Sequence, residues 1–141
     1  KRKNAVEAER PAKAYLLFPE ASDPALLREA MAGARRAVKI GRGGMAVWFE
    51  LSLGMGQYRT GDHAGALKSF TRPLRGKNPA QRLPALAFAA MATFRQTDST
   101  QARKLLSQAE TEFQDFVRTK PAWSDFHAVN LAIEEAKALI R

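Results

Sequence analysis

A chain of 141 residues, 45% hydrophobic and 26% charged, has the length of one domain and the composition of a folded one. This excludes a disordered tail and a collagen-like rod, and the absence of cysteine excludes disulfide scaffolds, thiol catalysis, Cys-ligated zinc and iron–sulfur clusters. The formal net charge is +9, and it is unevenly spread: residues 1–82 hold 16 Lys/Arg against 7 Asp/Glu, residues 83–141 hold 7 against 7. Such a field attracts RNA, an anionic surface or an acidic protein; a solvated face with a basic tail is the plainer reading. The longest apolar stretch, residues 83–94 (LPALAFAAMATF), is far shorter than the roughly 18 residues of a spanning helix, so no membrane segment is expected. Lack of cysteine fits a reducing, cytoplasmic compartment. The first residue is Lys1, not Met, so the chain reads as a segment of something longer, with the basic residues 1–14 as a linker from an upstream domain.

In chain order, every strong periodic signal is helical. After Ser22-Asp23-Pro24, the residues Leu26, Leu27, Ala30, Met31, Ala34, Ala37 and Val38 recur at three- and four-residue steps. Ser22 or Asp23 caps this helix, Pro24 suits its first turn and Gly41 ends it. A second helix, Met45–Arg59, aligns Trp48, Leu51, Met55 and Tyr58 and stops at Gly61, where a left-handed residue turns the chain. Asp62 opens a short helix through Ala66, Leu67 and Phe70 that loses its ladder near Pro73. After the linker Arg75-Gly76-Lys77-Asn78-Pro79, a fourth helix is expected from Pro84 to Arg95. Asp98 with Gln101 reads as a capping box; the helix it opens carries Ala102, Leu105, Leu106, Ala109 and Phe113 to about Arg118. Pro121 breaks the chain, Ser124 or Asp125 restarts it, and Phe126, Val129, Ile133, Ala136 and Ile140 form a last amphipathic helix. No alternating strand or hairpin signal appears. The expected fold is all-α.

The helices come in similar pairs. Leu53-Gly54, Tyr58-Arg59, Gly61-Asp62, Ala66 and Phe70 have counterparts 36 residues on in Ala89-Ala90, Phe94-Arg95, Thr97-Asp98, Ala102 and Leu106. A period near the roughly 34 residues of a helix–turn–helix repeat indicates stacked hairpins. Gly54 and Ala90 allow close helix approach, Ala66 and Ala102 mark the crossing, and Phe70 and Leu106 fill the wedge between hairpins. Thr97 stands where the first turn has Gly61, so the second hairpin is expected to be less regular.

On these residues the chain resembles the tetratricopeptide repeat family, most clearly over residues 48–70 (WFELSLGMGQYRTGDHAGALKSF) and more weakly over 84–109. The segments LGMGQYRTG, AFAAMATFR and WSDFHAVNLAIEEAKALI are similar to the C-terminal helical part of bacterial multidomain serine/threonine kinases. The kinase motifs themselves, a Gly-rich loop with its lysine, HRD and DFG, are absent from the sequence. The resemblance implies an α-α superhelix over residues 1–141: a partial repeat at 15–42, repeats at 45–74 and 83–118, and a capping helix at 124–141. In that family the first helices of the hairpins line a concave peptide-binding surface. By resemblance Leu51, Met55, Arg59, Met91 and Arg95 would face it, with the two arginines bracketing an acidic residue. Lys and Asn of the family's carboxylate clamp are replaced by Leu51 and Met55, which argues against chaperone-tail binding.

Other candidates reduce to structural readings. Gly41-Arg42-Gly43-Gly44 is followed by Met45-Ala46 instead of the Lys-Ser/Thr of a phosphate loop. Gly54, Gly56 and Gly61 miss the dinucleotide spacing, because Arg59 occupies the third glycine position. His63 and His127 have no metal-ligand partners at helical spacing, and Glu134 and Glu135 diverge by about 100° around a helix. No enzyme activity, metal or cofactor is expected. The expected function is protein interaction or scaffolding with a protein or acidic peptide, with self-association and RNA or other polyanion binding as alternatives.

Overall fold

The computed structural model describes residues 16–17, 23–40, 43 and 45–141. The expected linker at 1–14, most of the boundary of the partial repeat, and Gly41, Arg42 and Gly44 lie outside the described residues. Seven helices, and no strand, are found among those described: α1 (Pro24–Ile40), α2 (Met45–Arg59), α3 (His63–Ser69), α4 (Thr71–Arg75), α5 (Pro79–Arg95), α6 (Ser99–Arg118) and α7 (Trp123–Ile140). The all-α expectation holds.

Two helix boundaries differ from the sequence reading. The helix expected to start at Pro84 begins at Pro79, where Asn78 Oδ1 accepts the Ala80 N–H at 3.0 Å and proline suits the first position. Pro84 lies within α5 and forfeits one ladder bond, yet the whole run 83–93 is buried, and that packing outweighs the lost bond. The short helix does lose its ladder at Pro73, which has no N–H for the Ser69 carbonyl, so α3 ends at Ser69; a separate turn, α4, then runs to Arg75 with Pro73 in its first turn. Helix α7 starts at Trp123 behind Ala122, with no side-chain cap from Ser124 or Asp125. Asp23 does cap α1, accepting from the N–H groups of Ala25 (2.9 Å) and Leu26 (3.2 Å).

The order of packing follows from which faces are apolar. Helix α1 packs on α2; α2 packs also on α3, α4 and α5; α3 and α4 pack on α5; α5 carries α6 and α7, which touch each other. Helix α2 is apolar on opposite sides, as a helix between two others must be. A Cβ at Gly54 would fall 2.4 Å from the Phe70 ring of the C-terminal end of α3, and one at Gly56 would fall inside the Met31 thioether of α1. Two residues apart on a helix means about 200° around it, so these glycines admit neighbours on both sides. Phe70 is fully buried and meets Phe88 of α5 at 6.3 Å between ring centroids, which makes it the wedge between the first hairpin and the next. One buried core runs from Leu16 through Leu51, Phe70, Leu83–Ala92, Leu106 and Val129 to Ile140.

The two inter-helix turns correspond bond for bond at the 36-residue spacing. Gly61 N–H donates to the Tyr58 carbonyl (3.1 Å) and Thr97 N–H to that of Phe94 (3.0 Å). Asp62 N–H reaches back to Gln57 (2.8 Å), Asp98 N–H to Thr93 (3.2 Å). Asp62 Oδ1 then caps Gly65 (2.9 Å) and Asp98 Oδ1 caps Gln101 (3.0 Å). Because Asp98 N–H is taken by Thr93, the expected capping box is only its first half. Both turn residues are left-handed, Gly61 at φ 89° and Thr97 at φ 71°. The second hairpin is therefore as regular as the first, at the cost of holding a β-branched residue in a region it disfavours.

Candidate functional site

The predicted inner row is not an open groove. Leu51, Met55 and Met91 are completely buried in the main core. The physical reason is that neighbouring helices enclose these positions: α2 is packed by α1, α3, α4 and α5, and α5 also by α6 and α7. Periodicity identifies an apolar face but not what covers it.

Arg59, at the C-terminal end of α2, is engaged within the molecule and does not wait for a ligand. Its Nη1 and Nη2 donate to the two carboxylate oxygens of Glu135 on α7, at 2.5 and 2.7 Å, and its Nε donates to the Leu16 carbonyl at 3.0 Å. The guanidinium carbon also stands 5.1 Å from the centroid of Phe88 and 5.7 Å from that of Tyr58, within cation–π range. With side-chain exposures of 6% and 15%, Arg59 and Glu135 form a nearly dry bidentate pair. Such a pair fixes position more surely than it adds stability, since both ions give up hydration to meet.

Arg95 occupies the equivalent place on α5 and is exposed. Its Nε lies 3.5 Å from the Tyr58 hydroxyl, which joins the end of one hairpin to the next. Tyr58 is buried between Phe88, edge-on at 5.6 Å, and His63 at 5.4 Å. Among the residues assigned to repeat packing, Gly54, Tyr58, Ala66, Phe70, Ala90, Ala102 and Leu106 are buried, Leu53 and Phe94 are half-buried, and Gly61 lies exposed in its turn. Arg59 and Arg95 thus differ in kind: one is a strut, the other is accessible.

A second ionic strap went unread in the sequence. Arg82 on α5 donates from Nε and Nη2 to Glu112 on α6 (2.7 and 3.0 Å) and from Nη1 to the Leu74 carbonyl at the end of α4. Its hydrogen bonds hold the Glu112 carboxyl below the usual glutamate range, against a smaller opposing effect of burial, and raise the Arg82 guanidinium above its ordinary value. Arg141 closes a further pair with Glu110. Both links join bases and acids about 30 residues apart on neighbouring helices, a spacing that the repeat makes readable; the 76-residue separation of Arg59 and Glu135 carries no such signal.

The remaining candidates are placed as follows. Glu134 turns to Lys137 while Glu135 turns to Arg59, so the adjacent acids do diverge. His127 stacks under Trp123 at 4.6 Å, and Trp123 is itself 72% exposed. Among the described residues no group of three or more His, Asp or Glu is disposed to hold a metal ion, and no helix is long and apolar enough to cross a membrane. Helix α1 carries four exposed cations, Arg28, Arg35, Arg36 and Lys39; Lys68, Arg75, Lys77, Arg95, Arg103, Lys104 and Lys120 are exposed elsewhere. No family model, no characterised protein and no solved structure matches the chain.

Proposed function

We propose that this chain is a non-catalytic protein-interaction module, a short tetratricopeptide-like superhelix whose hairpins are closed off by α7. The observation that supports this reading is the recurrence, 36 residues apart, of the same turn, the same aspartate cap and the same buried positions in two successive hairpins. Architectures of this kind extend surface by repetition, and their functions are most often those of a holder. The sequence resemblance alone suggests the setting: the cytoplasmic, C-terminal part of a larger bacterial signalling protein such as a serine/threonine kinase, where the module would position substrates or subunits.

With Leu51, Met55 and Met91 in the core and Arg59 committed to Glu135, the contact to an acidic peptide shifts to Arg95. Its exposed guanidinium beside the Tyr58 hydroxyl offers a carboxylate one charge-assisted bond with a neutral donor next to it. The test is fluorescence anisotropy with a panel of Asp/Glu-rich peptides, with light scattering on the same samples to follow self-association. Saturable binding that weakens about tenfold or more in Arg95→Glu, the equivalent of one such contact, with unchanged circular dichroism, supports the reading. Binding that is indifferent to Arg95→Glu, or no peptide binding at all, rejects it.

A further inference from the structure

Among the described helices, α1 is the one that packs on a single other helix. Its buried residues, Ala30, Met31, Gly33, Ala34 and Ala37, face α2. On the outward side the helical period places Arg28, Arg35 and Lys39 within about 40° of one another, with Arg36 about 60° beyond Lys39. All four are exposed, and none forms an ion pair among the described residues, whereas on the second hairpin and α7 Glu110, Glu112, Asp115, Glu134 and Glu135 are each paired with a base. From Arg28 to Lys39 the row is about 16 Å long.

The surface between these cations decides the partner. Among the described residues it presents Ala25 and Ala32, with the exposed carboxylate of Glu29 beside Arg36, and α1 contributes no aromatic side chain to it. A protein partner would need an apolar or aromatic anchor at the centre of the contact to hold a lasting complex. Insertion into a lipid surface would need a free apolar flank, but the apolar side of α1 is spent on α2, and Leu26 lies about 160° around the helix from Arg28. Single-stranded nucleic acid is held chiefly by stacking on aromatic rings, which this face lacks. A duplex needs neither anchor nor ring, because its condensed counterions supply the binding energy when cations replace them. Arginine, three of the four residues, also matches phosphate geometry with its planar fork.

We propose that the outward face of α1 binds the sugar–phosphate backbone of a nucleic-acid duplex through Arg28, Arg35, Arg36 and Lys39, without reading its sequence. This site is separate from Arg95 and does not rest on the peptide-binding reading. A row about 16 Å long runs beside about ten phosphate charges of duplex DNA, more than enough to engage all four side chains.

The test uses the whole chain and a fluorescein-labelled duplex, DNA in one arm and RNA in the other, with anisotropy read between about 50 and 200 mM salt. Wild-type binding should be independent of sequence and steeply salt-dependent. The variant Arg28→Gln/Arg35→Gln/Arg36→Gln/Lys39→Gln keeps the helix propensity of α1; it should bind at least about tenfold more weakly at low salt and lower the log–log salt slope by about 3 to 4. Arg103→Gln/Lys104→Gln on α6 serves as the charge control and should change little. The arm that binds more tightly identifies the polymer. The proposal is overturned by any of three results: no duplex binding at the lowest salt, equal losses in the α1 and α6 variants, or unchanged binding in the α1 variant. It is also overturned, in favour of an acidic protein or a lipid surface, if poly-glutamate or phosphatidylglycerol vesicles bind as tightly as the duplex.

Discussion

The two hairpins solve one geometric problem with different residues. In the first, a glycine on α2 receives a phenylalanine: Gly54 and Phe70. In the second, the equivalent positions are Ala90 and Leu106, both buried. One pair trades a methyl for a ring and the other does the reverse, so the contact depends on the sum of the two side chains more than on either. The turns show the opposite economy. Gly61 and Thr97 take the same left-handed conformation, and nothing would lie within 4 Å of a Cβ at Gly61, so only backbone preference distinguishes them. Packing positions are therefore coupled between helices, while turn positions are local.

The sharpest test of that coupling is a double-mutant cycle on the first hairpin. Gly54→Ala drives a Cβ into the Phe70 ring and should destabilise the chain by about 1–3 kcal/mol. Phe70→Leu alone leaves a gap beside Gly54 and should cost about 1–3 kcal/mol through lost contact and cavity. Combined, the two substitutions reproduce the Ala90–Leu106 pair and should recover at least about 1 kcal/mol relative to the sum, measured by urea denaturation. Strict additivity would mean that the two hairpins do not share this packing rule.

The turn comparison predicts a smaller effect of opposite signs. Thr97→Gly should raise stability by about 1 kcal/mol, or about 3–5 °C in Tm, by relieving a β-branched residue at φ 71°. Gly61→Thr should lower it by about the same amount, since space is open there and only φ objects. Scanning calorimetry on both variants checks whether the shifts mirror each other.

The least effect belongs to a strap that the first hairpin places differently. Positions 36 residues before Arg82 and Glu112 hold Ala46 and Gly76, and the first hairpin instead pairs Arg72 with Glu50 at 3.2 Å. The Glu112 carboxyl is held low in the folded chain, so its contribution is complete above the ordinary glutamate value of about 4.3 and is lost as pH falls through the lower folded value. Arg82 stays charged throughout. Because both side chains are partly exposed, the contribution should stay below about 1 kcal/mol. Glu112→Gln should flatten that part of the acid limb in denaturation curves taken between about pH 5 and 2, and leave the difference between the hairpins otherwise intact.

Much of this architecture is legible in the sequence because its causes are local. Asp23, Asp62 and Asp98 announce helix starts, Gly61 announces a turn, and the 36-residue recurrence pairs the hairpins. Pro84 misleads because a proline ordinarily ends or begins a helix; here Asn78-Pro79 was the true start signal, and burial of the following run carries Pro84 along. The inner row misleads for a different reason. Leu51, Met55 and Met91 look the same in sequence whether they face a ligand or the chain itself, and only the packing of the neighbouring helices decides. Arg59 shows the same limit, since nothing local says that its partner is Glu135.

That bond also changes how the molecule responds to shortening. A linear stack of repeats ordinarily loses its last unit without disturbing the first, each unit feeling only its neighbours. Removing α7 would strip Arg59 of its carboxylate and leave a cation stranded between Phe88 and Tyr58, far up the chain. Helices α2 and α7 are thus tied by one bond, and melting begun at α7 should reach the opening hairpin directly.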